Sequence, residues 1–172
     1  MIAWLLLGPT GVGKSHWGKE LARQEDIPFV FVDLDEWIAT PEAGAEAFLL
    51  QHGWAQFWAR SYQGIEALAH DANQRYLVAI GAGTQMASVL MGQTMCLYQP
   101  YPALTLWCEP DILLKRLRHF RQDMRTREQL INLEFNAERL QLYHQAQAFL
   151  DVTTLSEQQC FSALKALIYP DG

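Results

Sequence analysis

The chain has 172 residues, half of them hydrophobic and 19% charged, which is the composition of a globular protein with a sizeable core and most simply of one domain spanning 1–172. Its net charge of −6, with no basic–aromatic stacking surface, argues against a nucleic-acid partner. Cys96, Cys108 and Cys160 lie far apart with no metal-ligand spacing, so free thiols, a reducing compartment and a cytoplasmic location are expected.

The first element is the apolar run Ile2 to Leu7, which reads as a buried strand and is too short to span a membrane. It runs into Gly8-Pro9-Thr10-Gly11-Val12-Gly13-Lys14-Ser15, followed by a helix to about Gln24. This spacing is that of a phosphate-binding loop. Its glycines let the backbone wrap a phosphate with the N–H groups turned inward, and the helix start adds a positive dipole end. Lys14 supplies a cation for the outer phosphates, and the Ser15 hydroxyl suits a magnesium ion. Gly8, Gly11, Val12, Gly13, Lys14, Ser15 and His16 are the expected nucleotide-binding residues. The ligands expected are ATP and Mg²⁺.

Phe29 to Asp33 reads as a second buried strand and completes a parallel strand–helix–strand unit. Asp33-Leu34-Asp35 stands where that strand ends, at the edge where ligands of open α/β sheets bind. Residues 36–72 read as helical, with breaks near Thr40-Pro41 and His52-Gly53, and form the expected acceptor-binding region. Tyr76 to Ile80 is a third strand, ending in the small-residue turn Gly81-Ala82-Gly83-Thr84. Met86 to Met91 suits a helix, Thr94 to Pro102 has no clear assignment, and Leu104 to Cys108 is a fourth strand.

A helix then runs from Pro110 to about Phe120. The basic stretch around 120–128, with Arg121, Arg125 and Arg127, reads either as a closing lid or as a solvated helix end. The periodicity of Leu130, Leu133, Ala137, Leu140 and His144 predicts one helix over 129–149. Leu150 to Thr154 is a short last strand, and Ser156 caps a final helix reaching Ile168. The sum is an α/β fold of three layers, with a five-stranded parallel sheet between helices.

Taken together, the phosphate loop, the phrase Phe31-Val32-Asp33-Leu34-Asp35, the turn Gly81-Ala82-Gly83 and Glu138-Arg139 with Leu142-Tyr143 resemble the shikimate kinase family, within the P-loop kinase fold. The resemblance implies that Asp33 helps to hold magnesium and that Asp35 binds the acceptor hydroxyl. It puts Gly81, Ala82, Gly83 and Arg139 at the acceptor, with Arg139 on its carboxylate and Lys14, Asp35 and Arg121 in catalysis; Arg125 and Arg127 are alternatives to Arg121. Read from the residues alone, Arg139 is equally a structural partner for an acid such as Glu134.

Two positions depart from the family pattern. Ala82 replaces the middle of three glycines, and Trp58 stands where the family carries a carboxylate-binding arginine, with Ser61 at the matching glutamate. Arg60, two residues on, points about 200° away around the helix. The expected function is ATP-dependent phosphoryl transfer to a hydroxyl of a small hydroxy acid, nominally shikimate. Trp58 argues for a different, less charged acceptor. The competing reading is a nucleotide-binding regulatory module that has lost catalysis. The expected partner is a small hydroxylated molecule, with neither membrane nor nucleic acid, and the expected state is a monomer.

Overall fold

The computed structural model describes the chain except for residues 27, 40–43, 98–99, 118–123 and 171–172, and gives backbone alone at 96, 97, 124 and 125. Its strands are β1 (Ile2–Leu7), β2 (Val30–Asp33), β3 (Tyr76–Ala79), β4 (Ala103–Trp107) and β5 (Ala148–Asp151). They form one sheet in the order β2-β3-β1-β4-β5, and every pairing is parallel. β1 lies in the centre because it is apolar throughout, as a strand covered on both faces must be.

The helices are α1 (Lys14–Ala22), α2 (Leu34–Ile38), α3 (Ala45–His70), α4 (Ala82–Leu90), α5 (Pro110–Leu117), α6 (Met124–Glu134), α7 (Ala137–His144) and α8 (Glu157–Ile168). They bury two apolar clusters. One, under α2, α3 and α4, includes Leu5, Leu7, Phe57, Ile65, Val78 and Ile80. The other, against α1, α5 and α8, includes Leu6, Leu21, Leu77, Leu104 and Leu164. Alternate residues of β1 thus feed both layers, as the period of two requires. Among the described residues no helix is long and apolar enough to cross a membrane.

Several boundaries differ from the sequence expectation. The single helix over 129–149 is two helices, because Asn136 leaves the helical conformation and accepts the Arg139 N–H as an N-cap. The final strand starts earlier, at Ala148. The small-residue turn after β3 is itself the start of α4, with Gly81 at the N-cap. The break at Gly53 is present, at φ 76° inside α3, whereas the one near Thr40-Pro41 falls outside the described residues. The final helix carries a reciprocal capping box between Ser156 and Gln159.

Candidate active site

β1 ends at Leu7 and the chain wraps through Gly8–Gly13 into α1. Gly8, Gly11 and Gly13 adopt φ of 131°, 84° and 110°, a region that disfavours side chains. Gly8 is doubly constrained, since a β-carbon there would lie 2.1 Å from the Leu106 carbonyl oxygen. The Lys14 ammonium is buried and donates to the carbonyls of Gly8 (2.8 Å) and Pro9 (3.1 Å). Burial lowers its pKa against the opposing pull of Glu134, Asp35 and Asp33. The Ser15 hydroxyl donates to Asp33 Oδ2 at 2.5 Å. His16 lines the same space with its ring edge-on to Trp17.

Asp33 does two things. It closes β2, and its Oδ1 accepts the Asp35 N–H at 3.1 Å as the N-cap of α2. Asp35 therefore sits in the first turn of a helix, not on an irregular loop. Burial, then the neighbouring Asp33 charge, pushes the Asp35 carboxyl up to about 6. Its buried Oδ1 has no hydrogen-bond partner.

These groups share a cleft of about 610 Å³. Its floor is Gly11, Gly13, Lys14, Ser15, Asp33 and Asp35, with Gly81, Ala82 and Gly83 from α4 beside them. One apolar wall comes from α3 through Leu49, Trp54 and Phe57, the other from α6 through Leu130 and Leu133. Glu46 also reaches the cleft from the first turn of α3.

The acceptor contact expected of Trp58 needs correction. Trp58 does not line the cleft; it is half-buried and packs on Tyr62, with ring centroids 5.8 Å apart. Phe57 takes the inward position, against Gly83, and the next residue points about 100° away around the helix. Ser61 faces inward with Phe57 and shares a hydrogen bond of 3.0 Å with the Thr84 hydroxyl. Arg60 lies over the Trp37 ring, 4.6 Å from its centroid.

Arg139 reaches the cleft wall, but its guanidinium is committed. Nη1 pairs with Glu134 Oε2 and Nη2 donates to the Ala82 carbonyl at 2.9 Å. Glu134 is fully buried and takes two further donors, the Thr10 hydroxyl at 2.6 Å and the Tyr143 hydroxyl at 2.7 Å. It ties the phosphate loop to α6 and α7. Sequence spacing offered Glu134 only as a neighbour of Arg139, and its tie to Thr10, 124 residues away, has no local signal. Arg121 lies outside the described residues, as do 120–123 of the stretch expected to form a lid, whereas 124–128 open α6. Arg127, in α6, is buried with no place in the cleft lining.

A second hollow of about 580 Å³ opens across the loop, lined by Gly11, Val12, Gly13, His16, Trp17, Lys115, Arg116, Val152 and Leu155 among others. Arg116 donates to the Val12 carbonyl at 3.2 Å. Gln85, which no motif or spacing marks out, donates to the Gly8 and Ile80 carbonyls from behind the loop.

The shikimate kinase family model matches residues 10–168. Among solved structures, shikimate kinase from Bacteroides thetaiotaomicron superposes with a TM-score of 0.77 at 21% identity, covering 96% of this chain and 97% of that one. Shikimate kinase from Acinetobacter baumannii, in complex with shikimate, superposes with a TM-score of 0.71 at 22% identity, covering 99% and 93%. A tunicamycin resistance protein from Deinococcus radiodurans gives 0.62 at 18%, covering 98% and 95%. No curated protein sequence matches the chain.

Proposed function

The chain belongs to the shikimate kinase family, and we propose that it is an ATP-dependent kinase that transfers the γ-phosphoryl group to a hydroxyl of a small acceptor. The observation that carries this reading is the Asp35 carboxylate, with its unpartnered oxygen, in the same cleft as Lys14 and the Ser15–Asp33 pair.

Two oxygens of different chemistry, the Ser15 hydroxyl and the Asp33 carboxylate, meet at 2.5 Å beside the phosphate loop. That donor set fits magnesium, which binds through one or two protein oxygens and completes its shell with water and phosphate. Magnesium would neutralise charge that develops on the transferring group. Backbone N–H groups of Gly11 to Ser15 would hold the phosphates, and the Lys14 ammonium would exchange its carbonyl partners for phosphate oxygens. The hollow beside Trp17 and Arg116 suits the nucleoside end of ATP, with an aromatic ring and a cation on its walls.

Asp35 would orient the acceptor hydroxyl and take its proton as that oxygen bonds to the γ-phosphorus and the bond to the β–γ bridging oxygen breaks. A carboxyl raised toward neutrality is the better base for that step. Arg139 would stiffen the acceptor side of the cleft, and Arg121 or Arg125 would supply a lid cation.

The test is ADP release with Mg-ATP over a panel of small hydroxylated compounds. Acceptor-dependent release that Lys14→Ala abolishes is expected. ATP binding with no acceptor-dependent release would instead identify a nucleotide-binding regulatory module.

A further inference from the structure

The charges around the acceptor end of the cleft are unbalanced in a specific way. Among the described residues that line it, the carboxylates are Asp33, Asp35, Glu46 and Glu134, and the full cations are Lys14 and Arg139. Lys14 belongs to the phosphates by its place in the loop. Among the described residues Arg139 is the one cation left to greet an acceptor, and Glu134 holds it: Nη1 is on Glu134, Nη2 is on the Ala82 carbonyl, and the remaining Nε is buried without a partner.

Glu134 is an ionised partner. Burial alone would raise its carboxyl, but Arg139, the Thr10 hydroxyl, Lys14 and the Tyr143 hydroxyl together hold it below the usual glutamate value. A ligand carboxylate arriving here would find a guanidinium whose charge is already matched. It would also place a further anion near the half-buried Asp35 and the buried Glu134, where like charges repel more strongly than in water. The rest of the acceptor wall is apolar and aromatic. Leu49, Trp54 and Phe57 face Leu130 and Leu133, with Trp54 and Leu133 partly exposed at the mouth. Such walls suit the C–H face of a ring.

We propose that the acceptor is an uncharged polyhydroxylated ring compound of the sugar, cyclitol or nucleoside type, and that the Glu134–Arg139 pair excludes carboxylic acids. The assignment rests on the kinase reading and narrows it. It departs from shikimate, which is a carboxylate, and it rests on Glu134 and not on Trp58.

The full chain is assayed for ADP release with matched acid and neutral compounds: shikimic acid with its methyl ester, glucuronic acid with glucose, and gluconic acid with glucitol, alongside uridine and adenosine as neutral probes. In the wild type, kcat/KM for the neutral member is expected to exceed that for the acid at least tenfold in the pairs that react. In Glu134→Gln, which keeps an acceptor for Arg139 but frees its charge, the acid-to-neutral ratio should rise at least tenfold. Tryptophan fluorescence titration with Mg-ADP present reads binding without turnover and should show the same reversal. Wild-type preference for the acids would overturn the proposal while leaving the kinase reading intact, and the wild-type comparison does not depend on how well the variant folds. An acid-to-neutral ratio unmoved in a folded Glu134→Gln would likewise overturn it. ATP binding with no acceptor-dependent release across the panel would overturn the kinase reading, and this assignment with it.

Discussion

A β-carbon on Gly81 would stand 2.1 Å from both carboxylate oxygens of Asp35. The helix that Gly81 caps, α4, thus approaches α2 so closely that only hydrogen fits between its cap and the carboxylate. This contact sets where Asp35 points. Gly81→Ala should push the carboxylate off its position by the better part of an ångström while leaving the phosphate loop untouched. Displacement on that scale costs on the order of 100-fold in rate. Steady-state kinetics should show that loss in kcat/KM for the acceptor, with ATP affinity by calorimetry within about threefold of the wild type. Unchanged acceptor kinetics would mean that Asp35 does no work at this position.

The Ser15–Asp33 pair makes a separable prediction. Both oxygens suit the same metal, so Ser15→Ala and Asp33→Asn should each weaken Mg-ATP more than metal-free ATP. A loss of about tenfold, ~1.4 kcal/mol, is the scale of one charge-assisted contact. Raising the magnesium concentration should recover part of the activity in both variants. If added magnesium restores nothing in either, the pair has only its structural role in joining α1 to β2.

Gly64 links the acceptor region to the same machinery by packing. A β-carbon there would meet the Trp37 ring at 2.8 Å and Leu34 at 2.9 Å, both on α2, the helix that carries Asp35. Gly64→Ala places a methyl group where α2 and α3 already touch. Overpacking of this kind costs about 1–3 kcal/mol, and in a chain of this size roughly 2–4 °C of Tm for each kcal/mol. Calorimetry should record the drop. Acceptor kcat/KM should fall too, because the strain is delivered to α2. A lowered Tm with unaltered kinetics would confine the effect to stability.

How far the sequence reached follows from how local each signal is. The phosphate loop, β1 and the Asp33–Asp35 pair are written in consecutive residues, where chain chemistry alone decides the conformation. The inward face of α3 was not legible. Trp54, Phe57, Trp58 and Tyr62 satisfy more than one helical stripe, and Gly53 breaks the helix just before them, so rotation is set by packing on α4. The break at Asn136 was hidden for a related reason. Apolar spacing continues across it, although Leu133 faces the cleft mouth and Leu142 the core. Glu134 was the least legible. Its partners Thr10, Arg139 and Tyr143 come together only when the loop and two helices meet, and nothing in the spacing of a single acid announces that.

The thiols offer a pH test of the nucleotide side. Cys160 is buried beside the second hollow, and burial pushes its thiol up to about 11, with Arg116 pulling weakly the other way. A raised pKa means less thiolate at any given pH, so alkylation of Cys160 by iodoacetamide should be slow at pH 8 and still climb between pH 9 and 11, where an ordinary thiol has levelled off. The same shift gives a sign for stability. The folded thiol stays protonated where the unfolded one ionises, so this contribution is whole below about pH 9 and is lost as pH rises toward 11. Peptide mapping of the alkylated protein against pH reads the first effect directly. ATP, if it fills that hollow, should slow the modification further, whereas phosphate alone should not. Fast alkylation at pH 8 in the folded protein would show that the thiol is not held in its buried, protonated form.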